Sequence, residues 1–509
     1  MAGQKARPLN GRFNNVPVLH SNQPEEVEGP GILISTSPGT SFAAETGEAL
    51  SNANYTFNGD FGMHLHHKYI PPNRGSISAS SRRSELTLAA ILINPFSRPV
   101  RIRFDRGAVR NSFEAPYLVN NLMGVKPLGP RPWNTGPGDA TAVQMLRDKL
   151  DSKLSSEILL PPYSRMVLFQ TQLPALGIAN ALLRGHSDGP FQIAVVAAAN
   201  PRSDDDILAV LDQGRLAPGR VYLNRIADIN NRRVFSRVGG VALGDSYQAT
   251  INHDLSTQGP LHVPLTSTER HDFGTGEVQV NQLAARMVDS SLDNVGTYGV
   301  RFDVDLNLRG QGPYELVLSH PAPSGGRDFI AFRGSIQILT EEGSKDIHVG
   351  LRSGESLSLT TLQLRPDRDS NVRVSLVYPA DATPGHLLSV VPNSQLAQAQ
   401  ELLKRLALAR ASVPQAARPA APPPAMVAPP PPLSTIPYGA GGDPNIPGLP
   451  PVQLPKRPIE LPQSQAPISP VFPLQLMPPQ SGGSAQSQID RYRQAIEAQQ
   501  RLMQGWNQP

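Results

Sequence analysis

From residue 298 to residue 391 the chain repeats one event: a short run of alternating apolar and polar residues, closed by a turn, then another run. Phe302, Val304, Leu306 and Leu308 take every second place in one such run, with Asp303, Asp305 and Asn307 between them. Successive side chains of a strand leave opposite faces, so this rhythm buries one face and wets the other. Six similar runs follow in the same stretch, the strand count and spacing of an antiparallel β-sandwich of immunoglobulin type. Phe302, Val304, Leu306, Phe332, Ile336 and Val374 are its expected core.

The first half reads as β as well, with strands expected at 31–35, 86–93, 100–104, 165–170 and 191–199. Residues 86–93 are nearly all apolar, which predicts a sheet covered on both faces. Pro95 and Pro99 then bracket a turn, since proline cannot donate to a ladder. One segment changes period: Val143, Leu146, Leu150 and Leu154 stand three or four apart with Asp139 placed to cap, which predicts a short amphipathic helix over 139–154. The order of parts echoes the second half, so a weak internal duplication of sandwich modules is expected.

The expected fold class is therefore mostly β: tandem antiparallel β-sandwich, immunoglobulin-like modules with a few short helices and a disordered Pro-rich C-terminal tail. The expected parts are an N-terminal sandwich-like domain at 11–215 carrying the helical insertion, a polar, loop-rich connecting region at 216–295, and a C-terminal sandwich at 296–392. A helix follows at 394–410, where Leu396, Ala399, Leu403 and Leu406 form one stripe. A Pro-rich linker at 411–486 leads to a short amphipathic helix at 487–505, spaced by Ile489, Tyr492, Ile496 and Met503.

Proline is the compositional outlier, and 22 of the 52 prolines fall between 411 and 480 with only five charged residues among them. Such a segment builds neither helix nor sheet and favours extended polyproline II. Extended proline runs lose little entropy when bound, so the tail and terminal helix are the expected contact to a protein or cell-wall partner. No segment approaches the twenty consecutive apolar residues of a membrane helix, so no membrane span is expected. The net charge of +4 is spread thinly and no dense Lys/Arg block is interleaved with aromatics, which argues against a nucleic-acid partner. The chain has no cysteine, which excludes disulfides and thiol chemistry and fits an extracytoplasmic bacterial protein. Residues 1–8 carry basic residues with no apolar core behind them, so no secretory signal is expected in the sequence as given and a cytoplasmic location stays open.

His64, His66 and His67 are the one tight group of possible metal ligands. On a strand His64 and His66 share a face and His67 points the other way, so a metal would need a carboxylate from elsewhere, with Asp60 and Glu85 nearest in sequence. Structural histidines are the preferred reading, with a metal-dependent hydrolase centred on His66 and His67 as an alternative. No catalytic or cofactor-binding residue and no cofactor is assigned. No strained elbow presents a serine, His186-Ser187-Asp188 reads as a turn, and 239–245 lacks the lysine of a phosphate loop. Trp133 and Trp506 form no identifiable stacking platform; a glycan-binding surface protein is nevertheless the runner-up reading, ahead of the metal-dependent enzyme.

Several stretches together resemble a cyanobacterial family known only as domain of unknown function 3370. They are Gly11-Arg12-Phe13-Asn14-Asn15-Val16-Pro17-Val18 with Ser21-Asn22, then Gly31-Ile32-Leu33-Ile34-Ser35-Thr36, and the pair His66-His67 after Phe61. Ser187-Asp188-Gly189-Pro190-Phe191-Gln192, Asn294-Val295-Gly296-Thr297-Tyr298-Gly299-Val300, Phe332-Arg333-Gly334-Ser335 and the stretch from Leu376 to Pro384 complete the set. The likeness runs from about residue 11 to about 392. It implies a cell-envelope or periplasmic location and carries no assigned activity. The expectation is a non-enzymatic structural or interaction protein of the cyanobacterial cell envelope.

Overall fold

The computed structural model describes residues 1, 4–72, 85–117, 123–129, 135–323, 328–380 and 382–412. Nearly all of the Pro-rich linker, the terminal helix at 487–505, Trp133 and Trp506 lie outside them. No helix among the described residues is long and apolar enough to cross a membrane. The fold is mostly β.

One strand organises the first half. Ile178–Ala199 is 22 residues long and serves two sheets in succession. Its first part runs antiparallel to both Phe57–Tyr69 and Val100–Asn111. After a break at 187–191 its second part runs antiparallel to both Gly31–Ser35 and Glu85–Asn94. The break falls on Gly189-Pro190, where proline offers no N–H to continue the ladder. The strand thus crosses from one layer to the other, and a single apolar core lies between them, with Phe57, Phe61, Phe191, Leu33, Ile91 and Val195 inside it. Glu85–Asn94 is buried along most of its length, as its apolar run predicts.

The second half has a seven-stranded and a four-stranded sheet. The larger runs in the order Arg12–Phe13, Ser246–Asp254, Arg301–Arg309, Ser370–Val377, Ile330–Thr340, Gly343–Arg352, Gly124–Pro127; the smaller in the order Leu261–Leu265, His386–Pro392, Gly312–Ser319, Ser356–Leu364. Both contribute to one core, where Phe302, Val304, Leu306, Phe332, Ile336 and Val374 of the larger meet Leu316, Leu388 and Val390 of the smaller. All six residues expected in that core are there. In Arg301–Arg309 the buried positions alternate with half-buried ones, the rhythm read in the sequence.

The division into tandem modules needs correction, because the halves exchange strands. Arg12–Phe13 and Gly124–Pro127, from the first half, cover the two edges of the seven-stranded sheet. Residues 216–295, expected to be loop-rich, hold Gly239–Leu243 and Asn281–Arg286 in the first half's sheet, and Ser246–Asp254 and Leu261–Leu265 in the second half's two sheets. Gly239–Leu243, Leu261–Leu265 and Asn281–Arg286 are too short to show a period, whereas Ser246–Asp254 does alternate, with Tyr247, Ala249 and Ile251 buried between polar residues, and is hidden among its polar flanks. Ser246–Asp254 also lies parallel to Arg301–Arg309, so the sheet is not wholly antiparallel. The chain builds strands in other sheets between the two, a crossover long enough for parallel pairing.

Two crossings between the halves lie side by side, at 13–17 and 243–246. Asn14 N–H donates to Ser246 O at 3.0 Å, and Gly244 N–H donates to Val16 O at 2.8 Å. Gly244 has φ +108°, and a Cβ there would come within 3.0 Å of Phe13 Cβ and 3.1 Å of Asn14 O, so no other residue fits without displacement.

Helix lengths differ as well. The first is Pro137–Leu146 rather than 139–154; beyond it Asp148 turns to φ +51° and Leu150 bridges Gly107, while Leu150 and Leu154 pack on the first core outside the helix. Asp139 is not the cap, since Gly136 holds that place. The helix expected at 394–410 is Asn393–Ser412, and its Leu396 packs on Val317 and Val391.

Candidate functional site: a buried histidine seam

His64, His66 and His67 sit on Phe57–Tyr69, an interior strand between Pro17–Ser21, parallel to it, and Ile178–Ala199, antiparallel to it. Neighbours on both sides bury all three rings. Each then finds its own partner. His64 Nδ1 lies 3.2 Å from His20 Nδ1, with the rings edge to face. His66 Nδ1 lies 3.0 Å from Asn180 Oδ1, and Asn180 Nδ2 donates to Thr141 Oγ1 at 2.6 Å. His67 Nδ1 donates to Pro24 O at 2.8 Å, which leaves its Nε2 to accept from Ser21 Oγ at 2.8 Å.

Burial disfavours the imidazolium in this group. It pushes His20 down to about 3. Burial also takes His67 down to about 3, against the pull of the Pro24 carbonyl and helped by His66 and Arg220. His64 is held well below the ordinary range, by burial first and then by the other three rings. Burial thus favours the neutral form of His20, His64 and His67, the form that binds metals, yet the rings of this group do not converge on a point. His66 and His67 leave opposite faces of the strand. Asp60 is engaged with His186 Nδ1 at 2.7 Å, and Glu85 begins a strand paired elsewhere. Among the described residues no three or more His, Cys, Asp or Glu side chains group as a metal site.

The face carrying His64 looks toward the second half. A Cβ on Gly299 would come within 3.1 Å of the His64 ring, and Leu182, beside it on the next strand, clusters with Ala142, Met145, Leu146 and Val377. Asp139 extends this seam, its Oδ2 accepting from His348 Nδ1 at 3.0 Å and from Ser335 Oγ at 3.1 Å. A serine, a histidine and an aspartate thus meet, but hydroxyl and imidazole both end on one carboxylate oxygen. A nucleophile needs its base on the hydroxyl and an open face for substrate. Here all three side chains are buried, so the arrangement joins the helix to the sheet. His20, Asn180, Ser335 and His348 were not marked by the sequence, because each partner comes from a distant strand. His186 and Ser187 lie at the break of the long strand, and within 239–245 Gly239–Leu243 is a strand, with Gly244 and Asp245 in the bend that follows.

A cleft of about 450 Å³ opens at one end of the second half, lined in part by Lys345, Leu362, Leu364, Arg365 and Arg368. Arg368 pairs with Glu341 at 2.7 Å and Lys345 Nζ reaches Thr360 Oγ1 at 3.3 Å. It gathers no imidazole.

Residues 4–392 match the family described as protein of unknown function, DUF3370. The chain belongs to that family. No curated protein is matched. The DUF3370 region takes in the whole seam, both cores and the last strand, and it ends just before the helix Asn393–Ser412.

Proposed function

We propose that this DUF3370 chain is a non-enzymatic body of the cyanobacterial cell envelope or periplasm, built from two immunoglobulin-like sandwiches. In this reading the sandwiches are locked together, and the Pro-rich arm carries a short helix to a protein or wall partner. The exchange of strands between the halves is the observation that carries it. A body whose edges are covered by segments of its own other half resists hinge motion and blocks edge-to-edge pairing with other chains. The burial of the histidines and of Asp139, engaged with one another and with backbone, supports the same reading, since they present no open face to a substrate.

Fractionation of the native host, with mass spectrometry of the mature N-terminus, tests the compartment. Recovery in the envelope or periplasmic fraction is expected, and exclusive recovery with cytosolic markers refutes it. Truncation before Ala411 tests the arm: release from the envelope fraction is expected, and unchanged retention shows that the arm is not the anchor.

A further inference from the structure

Two turns stand side by side at one end of the first half. The first joins Glu85–Asn94 to Val100–Asn111, and the second joins Glu157–Leu160 to Ser164–Pro174. Each turn carries an aromatic residue that reaches water, Phe96 on the first, 38% exposed, and Tyr163 on the second, 74% exposed. The turns are fastened to each other, with Tyr163 N–H donating to Phe96 O at 3.1 Å.

A single buried side chain holds both. Asn94 Nδ2 donates to Arg98 O at 2.7 Å, to Pro161 O at 2.9 Å and to Leu160 O at 3.3 Å, while its Oδ1 accepts from Phe96 N–H at 3.0 Å. Pro95, Pro99, Pro161 and Pro162 stiffen the same two turns. Tyr163 itself sits at φ +49°, a backbone conformation that a bulky residue rarely adopts and that persists where the surroundings impose it. Neither ring is spent on the core. The fold therefore fixes the backbone of two turns whose aromatic side chains reach water, and a backbone already ordered loses little entropy on binding.

Charge narrows the partner. Arg98, on the first turn, is exposed with no side-chain hydrogen bond or ion pair among the described residues. Arg101 and Arg103 behind it share the single carboxylate of Glu157. Asp188 accepts from the Arg101 backbone N–H, and Arg165 is matched by Asp212. One positive charge is left over beside the rings.

We propose that this tip binds an acidic polysaccharide, with Phe96 and Tyr163 stacking on sugar faces and Arg98 meeting a carboxylate. Aromatic faces receive the apolar side of a pyranose ring, and a guanidinium matches a carboxylate in two parallel hydrogen bonds. This deepens the reading of the chain as a non-enzymatic envelope body by naming what its surface holds. The two are separable, because the binding is measured on purified protein and the compartment on cell fractions.

The test is affinity electrophoresis of the full chain through gels containing polygalacturonate, with uncharged dextran as the control. Polygalacturonate is expected to retard the native chain and dextran to leave it free. Phe96→Ala and Tyr163→Ala should each weaken retardation by about threefold to tenfold, the scale of one aromatic contact, and Arg98→Ala should weaken it and flatten its salt dependence. Equal melting temperatures of variants and native chain confirm that the fold is intact, as expected for exposed side chains. No retardation, retardation indifferent to the two rings, or equal retardation by dextran overturns the proposal. So does binding to phosphatidylglycerol vesicles without retardation by polygalacturonate, which would assign the tip to a lipid surface.

Discussion

The two halves bury polar groups in different ways. In the first half, Arg220 and Asp289 form an ion pair with no exposure on either side chain: Arg220 Nη1 donates to both carboxylate oxygens at 2.9 Å, and Gln23 Nε2 adds a third bond at 2.9 Å. His20, His64, His66 and His67 lie in the same half. The second half keeps an alternating apolar core, into which His386 intrudes beside Tyr378, whose hydroxyl accepts from Thr266 Oγ1 at 3.0 Å. A core of alternating apolar residues is specified locally. A core holding charges is specified only when distant partners arrive, and its stability depends on their protonation.

Acid should cost both halves stability, because each buries histidines held below their ordinary value: His20, His64 and His67 in the first, His262, His320 and His386 in the second. The ordinary histidine value is 6.5, and burial takes His20 and His67 to about 3 and His320 to about 4. These folded values lie below the unfolded one, so the unfolded chain binds the extra protons. Stability is then complete above about pH 6.5 and falls as the pH drops toward the folded values. At about pH 5 each of the three withdraws about 2 kcal/mol, or about 6 kcal/mol together as an upper bound. His64 in the first half and His386 in the second act in the same direction. Urea midpoints should fall between about pH 7.5 and about pH 5, and hydrogen exchange should lose protection first along Phe57–Tyr69, where the rings crowd. A midpoint unchanged over that interval would show that the rings are not buried neutral.

Substitutions sharpen the contrast by the way they are rescued. Phe332→Ala empties a site packed against Tyr378 and His386, with centroids 5.7 and 5.4 Å away, and should destabilise by about 3–5 kcal/mol. Arg220→Met should destabilise by a similar amount, about 3–5 kcal/mol, because it strands the Asp289 carboxylate in the interior. Adding Asp289→Leu should recover most of the second loss, since an apolar pair of like volume replaces a buried ion pair at little net cost. Chemical denaturation of the single and double variants reads both. A double variant no more stable than Arg220→Met would mean that the pair is not the unit of stability, and an unchanged melting temperature for Phe332→Ala would remove it from the core.

Legibility followed the same division. Phe302, Val304, Leu306 and Leu308 announced their sheet because period and burial coincide over a whole strand. The helix was visible through Val143 and Leu146, but Leu150 and Leu154 kept its spacing after the backbone had turned at Asp148, so its end was misplaced. The strand exchange was hidden because Arg12–Phe13 and Gly124–Pro127 have too few residues to show any period. The histidine run was legible as a cluster, whereas the partners that decide its role, His20, Asn180 and Ser21, are set by sheet register alone. Phe96 and Tyr163 drew no attention in the sequence, since a turn between prolines hides which side chain faces water.

The smallest effect probes where strain is kept. Between residues 301 and 377 no non-glycine among the described residues has a positive φ, although Thr266 and Phe273 beside the second half's Leu261–Leu265 do; the first half has Asp148, Tyr163, Leu176 and Asn200 there. Tyr163 is the bulky, exposed case, so its ring buries little that would offset the unfavourable backbone. Tyr163→Gly relieves that backbone but adds entropy to the unfolded chain, for a net gain of up to about 1 kcal/mol. A melting temperature raised together with lost polygalacturonate retardation is the expected pairing. It would show that the first half holds an unfavourable conformation because the ring is needed in that place. A lowered melting temperature would mean that the ring contributes to the fold itself, and the strain would then carry no information about binding.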